Sequence, residues 1–136
     1  VIVYLTRKER FNAAHKLWVT EWSEEKNIEV FGKCANVNWH GHNYVLEVTV
    51  KGTPDPQTGF IFDAKELSKL IKEEVLDHLD HRNLNLDVKF IPFNIQPTTE
   101  NLVVIIWNQL ESKLTTCKLH CVKLQETENI SAEYYG

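Results

Sequence analysis

The sequence lacks any apolar run of membrane-spanning length, which excludes a transmembrane helix. It also lacks repeats, low-complexity tracts and linkers, so residues 1–136 read as one domain with a sizeable core. There is no excess of positive charge: the formal net charge is −4, which argues against a general nucleic-acid or anionic-membrane binder. Cysteine is scarce and odd in number. Cys34, Cys117 and Cys121 cannot all pair, and the opening VIVYL is too short and too soon charged for a secretory signal. Free thiols in a reducing, cytoplasmic setting are therefore expected. What is present is ordinary for a globular chain: 43% apolar and 25% charged residues.

Residues 1–14 are rich in β-formers and read as a first strand. Residues 16–33 are mixed, with a short helical turn at 23–27. NYVLEVTVK (43–51) is a strand with Tyr44, Leu46, Val48 and Val50 on one face. GTPDPQTG (52–59) is a turn, and FIF (60–62) a short extended piece. Leu67, Leu70, Ile71, Val75 and Leu79 recur at helical spacing across 63–79, with Asp63 as cap. A long connection with two prolines (82–97) leads to a second helix at 98–114, opening on a Thr cap. KLHCVKLQET (118–127) is a strand, and 129–135 its hairpin partner. Segregated strands and helices predict an α+β fold, with both helices on one face of an antiparallel sheet.

FGKCANVNWHGHNY (31–44) carries the chemistry. On a helix His40 and His42 would point nearly opposite ways; on a strand they share a face. That face is also the apolar face of Tyr44, Leu46 and Val48, where two imidazoles need a reason to be buried. Chelation of one metal, zinc by ligand type, supplies it. The bland alternative is one half-buried and one exposed histidine. A third ligand is available from His15, His78, His81 or His120, with His15 slightly favoured by its place at a strand end. Cys34 is either a fourth ligand closing a structural site, an unligated base or nucleophile, or a small buried hydrophobe. Asp80 and His81 form either a proton relay or a solvated helix end. Glu126 is either a strand-end carboxylate in water or an anchor for a planar fork of N–H donors. The four tryptophans (Trp18, Trp22, Trp39, Trp107) read as packing.

FNAAH, FGKCANVNWHGHNY, LDHRNL, PTTENL and LQETEN, in this order, closely resemble the 6-pyruvoyl-tetrahydropterin synthase family, from about residue 7 to the C-terminus. The resemblance implies the tunnelling fold, with three subunits forming a barrel and two trimers stacking into a homohexamer whose active sites lie at subunit interfaces. It implies His15, His40 and His42 as Zn²⁺ ligands and Cys34 as a catalytic thiol outside the ligand set. Asp80 and His81 would be a proton relay supplied by a neighbouring subunit, and Glu126 the anchor of the pterin ring. Thr98, Thr99 and Glu100 would lie near the pterin pocket. The implied reaction is a lyase reaction that turns 7,8-dihydroneopterin triphosphate into 6-pyruvoyl-tetrahydropterin and releases triphosphate, in tetrahydrobiopterin biosynthesis. Related alternatives are 6-carboxy-tetrahydropterin synthesis, usually accompanied by a shorter Cys-to-HGH spacing, and a non-catalytic structural zinc site. Trp39 departs from the family pattern, which commonly has a small residue before HGH. Arg7, Lys8, Arg10, Lys16 and Lys33 are the cations available to a triphosphate.

Overall fold

The computed structural model describes residues 1–136. In chain order the elements are β1 (Val3–His15), α1 (Glu24–Phe31), β2 (His40–Gly52), α2 (Ala64–Ile71), a π-helical stretch (Lys72–Leu76), α3 (Asp77–Leu79), β3 (Arg82–Asn83), α4 (Thr99–Leu110), β4 (Lys118–Thr127) and β5 (Ile130–Tyr134). The five strands form one sheet in the order β3-β1-β2-β4-β5. β1 and β2 pair antiparallel over their whole lengths, from Val3 opposite Gly52 to His15 opposite His40. β2–β4 and β4–β5 are antiparallel as well, each with one register break.

The inner face of the sheet follows the period of two. Phe11 and Ala13 of β1, Tyr44, Leu46, Val48 and Val50 of β2, and Leu119, Val122 and Leu124 of β4 all enter one core. Two helical segments cover that face. Leu67, Ile71, Val75 and Leu79 form an i, i+4 row through α2 and its continuation, and Leu102, Ile106 and Leu110 supply the row from α4. The Asp63 side chain accepts from the Lys65 amide to start α2, and the Thr98 hydroxyl accepts from the Asn101 amide to start α4. The expected α+β architecture is therefore present.

Five local expectations change. The sheet is mixed, because β3 adds a two-residue parallel pairing to β1 inside what reads as a loop. Two residues are too few to show a period, so sequence pattern carries no sign of it. β2 begins at His40 and not at residue 43, so both histidines lie within the strand. FIF (60–62) is not a strand, and the turn expected at 23–27 is an eight-residue helix whose N-cap Ser23 accepts from the Lys26 amide. The second long helix stops at Leu110 and passes into a 3-10 turn, Glu111–Lys113.

Candidate functional site

The β1–β2 register sets His15 opposite His40 and Ala13 opposite His42. Opposed residues of an antiparallel pair share a face, so the three imidazoles meet on the inner side, at the strand ends beyond the core. Their ring centroids are 4.5, 5.1 and 5.0 Å apart, and one nitrogen from each lies within 4.8 Å of the others. Bonds of about 2.0–2.1 Å to one tetrahedral zinc separate ligand atoms by roughly 3.4 Å, so small ring rotations would close the set.

The tautomer of His15 is decided by a backbone group. Its Nδ1 lies 2.8 Å from the Pro97 carbonyl, which only accepts, so Nδ1 carries the proton and Nε2 the lone pair. Nε2 of His15 and both ring nitrogens of His40 are buried without a hydrogen-bond partner. Such orphaned polar atoms are rare in folded proteins. Burial lowers the His15 pKa to about 4, against the raising effect of the Pro97 bond and helped by the charges of His40 and His42. Burial, then His42, lowers the His40 pKa too. The result is neutral imidazoles with free lone pairs, the form that binds a metal.

Glu126 reaches the same place from β4. Its Oε1 lies 3.3 Å from His15 Nε2 and 3.5 Å from His42 Nε2. With the His15 proton on Nδ1, a carboxylate oxygen faces an imidazole lone pair with no hydrogen between them. That pairing favours a cation. Beneath the histidines, Tyr44 stacks on Phe11 at 4.8 Å and meets His15 and His42 edge-on at 6.3 and 5.7 Å. Cys34 is half-buried in the 3-10 turn Gly32–Ala35, which Gly32 enters at φ 56°, a left-handed conformation open to glycine. Its carbonyl accepts from the Leu17 amide at 2.9 Å, tying the thiol's turn to the segment after His15. Burial first and Glu126 second raise the Cys34 pKa. Cys34 is not among the mutually close metal-binding atoms, so the set is three histidines.

The residue 4–136 segment matches the family model described as 6-pyruvoyl tetrahydropterin synthase. The chain belongs to this family. It is 45% identical, over 98% of its length and 96% of the relative's, to a 6-pyruvoyl tetrahydrobiopterin synthase of Dictyostelium discoideum. It is 41% identical to that of Homo sapiens over 97% of this chain and 90% of the relative. The structure of the Caenorhabditis elegans 6-pyruvoyl tetrahydropterin synthase superposes with TM-score 0.92 at 39% identity, covering 100% of this chain and 96% of that one. The architecture is thus the family's tunnelling fold.

The family motifs do not all converge within one chain. His15, His40, His42, Cys34 and Glu126 do. Of PTTENL, Pro97 holds His15, Thr98 caps α4, Thr99 is buried and Glu100 is exposed in the first helical turn. Asp80 and His81 stand apart. Asp80 Oδ1 accepts from the Asn12 amide at 3.0 Å and lies 3.1 Å from His81 Nδ1, and the Asn12 amide lowers its pKa first. His81, but not Asp80, lines a cleft of about 540 Å³, together with Ala13 and His42 from the histidine face and Asn12, Ala14, Gly41 and Asn43 from the alternate positions of β1 and β2. Between the two histidines, Gly41 allows β1 and β2 to approach closely, since a Cβ there would sit 3.3 Å from the Ala13 carbonyl.

The other candidate histidines are used elsewhere. His78 packs on Phe90, and His120 between Tyr4 and Tyr135. Arg7, Lys8 and Arg10 lie five to eight residues before His15 in β1, about 17–26 Å away at 3.3 Å per residue. Only Lys16 and Lys33 flank the site of their own chain. Two side chains that pattern reading missed hold the segment beside it. Asn85 bonds both backbone groups of Lys16, and Gln96 both of Trp18. Paired bonding by a loop amide leaves no periodic signal. Trp39, immediately before His40, sits at φ 67°, and the Lys16 ammonium lies 4.5 and 5.7 Å over the Trp18 and Trp39 rings. His81, at φ 60°, is the other non-glycine residue in the left-handed region. Strain of this kind gathers at functional sites.

Proposed function

We propose that this chain is a zinc-dependent 6-pyruvoyl-tetrahydropterin synthase, converting 7,8-dihydroneopterin triphosphate to 6-pyruvoyl-tetrahydropterin with release of triphosphate. The observation that carries this reading is the meeting of three imidazoles with the Glu126 carboxylate, 3.3 and 3.5 Å from two of them. Family membership supplies the substrate class. His15, His40 and His42 would hold the zinc, which when bound supplies a Lewis acid that acidifies hydroxyl-bearing positions of the substrate.

The chain's own residues do the rest. Glu126 accepts from the ring N–H and 2-amino edge of the pterin and so orients it. That contact also takes up the Glu126 charge, one of the two causes holding the Cys34 thiol protonated. Cys34 is then the base on one side of the substrate. Asp80 orients and stabilises His81 as proton donor or acceptor. Because this pair stands exposed at the edge of the sheet, just before the edge strand β3, we assign it to the active site of a neighbouring copy in a homohexamer of two trimers. Residues 1–136 act as one pterin synthase domain, and the three free thiols favour a reducing, cytoplasmic compartment.

The test is turnover of 7,8-dihydroneopterin triphosphate by the zinc-loaded protein, with product identification. A pyruvoyl product and released triphosphate, both lost on metal removal, are expected. A 6-carboxy product would move the chain to the carboxypterin branch. No turnover and no pterin binding would leave a structural metal site.

A further inference from the structure

Among the orphaned buried polar atoms near the histidines, one belongs to no assigned role. The Tyr44 hydroxyl is fully buried, with no hydrogen-bond partner. Its ring is immobilised by the stack on Phe11 and by edge contacts to His15 and His42. A phenol normally finds a partner when buried, because an unmade bond there is costly. Phenylalanine would fill this core position without that cost. The hydroxyl therefore has a partner that arrives from outside, on a ring that meets those of His15 and His42 edge-on.

We propose that Tyr44 is a further substrate-binding residue: its hydroxyl donates a hydrogen bond to a side-chain oxygen of the pterin that enters the three-histidine site. This rests on the pterin reading of the site. Glu126 would hold the ring edge, and Tyr44 the polyhydroxylated tail, so that the substrate is fixed at both ends relative to Cys34. A phenol O–H is suited to the tail, whose hydroxyls both accept and donate, while the ring's N–H edge requires an acceptor-only group.

The experiment compares the zinc-loaded wild type with Tyr44→Phe, using two probes. Neopterin carries a trihydroxypropyl tail, and 6-methylpterin has none. The variant should fold as the wild type, with an unchanged or higher melting temperature, and should keep its bound zinc. It should bind neopterin about tenfold more weakly, the order of one hydrogen bond, and 6-methylpterin equally well. Equal affinity for neopterin, equal losses for both probes, or loss of zinc would each overturn the proposal. A wild type that binds neither probe would bring down the pterin reading itself, an outcome distinct from a wild type that binds both and a variant that does not discriminate.

Discussion

Lowering the pH should destabilise the metal-free protein, with His15 as the largest single contributor. His15 is buried as a neutral imidazole with a pKa of about 4, against 6.5 in the unfolded chain. Above pH 6.5 it is neutral in both states and its burial carries no protonation penalty. Between 6.5 and 4 the unfolded chain takes up a proton that the folded chain refuses, so stability falls with pH. The difference corresponds to about 3 kcal/mol, complete below about pH 4. Against a typical total of about 5–15 kcal/mol this is a large loss. Urea unfolding of metal-free protein from pH 7.5 to 4, beside His15→Asn, isolates it. Asparagine can still donate to the Pro97 carbonyl but does not titrate in this range. The wild type should lose about 3 kcal/mol more than the variant over that interval. Parallel profiles would refute the placement of a neutral, buried His15, and with it the reason for its free Nε2.

Cys34→Ala should keep zinc and fold but lose nearly all turnover; loss of metal on elemental analysis would instead mark a closed structural site. Glu126→Gln should weaken pterin binding at least tenfold in a direct titration, because the charge-assisted fork is lost; unchanged affinity would remove the anchor. Mixed oligomers reassembled from equal amounts of inactive Cys34→Ala and His81→Ala chains should recover about a quarter of wild-type turnover, as expected if each site draws these residues from two copies; no recovery would place both in one chain. Trp39→Gly should exceed Trp39→Ala in stability by about 1 kcal/mol in urea unfolding, because only glycine is unstrained at φ 67°; equal values would mean the left-handed backbone is not costly.

Much of this site was legible because strand geometry is local. The two-residue step from His40 to His42 specifies a shared face, and an alternating apolar run after it specifies which face. The third histidine of the cluster was harder. Four histidines were eligible, and choosing among them required the register of β1 against β2, which is a long-range property. Local pattern likewise left open whether Asp80 and His81 serve their own chain's histidines. Both bond to the backbone of Asn12, at the edge of the sheet and not on the face that carries the three histidines. The five motifs carried the family, whereas the clamps from Asn85 and Gln96 and the strain at Trp39 became visible only with coordinates.

The distribution of unsatisfied groups argues that this end of the sheet is selected against its own stability. The buried polar side-chain atoms without partners are His15 Nε2, both nitrogens of His40 and Tyr44 Oη, and all belong to one neighbourhood. Nearby, Asn27 is fully buried yet bonded to the backbone of Val19, Trp22 and Ser23. The chain therefore satisfies buried polar groups where only packing is at stake. Leaving a cluster open beside a carboxylate costs free energy in the empty chain and is offset when ligands fill it. Bound zinc and pterin should consequently raise the melting temperature through the same atoms, and substitutions that make these positions apolar should stabilise the empty protein while abolishing that response.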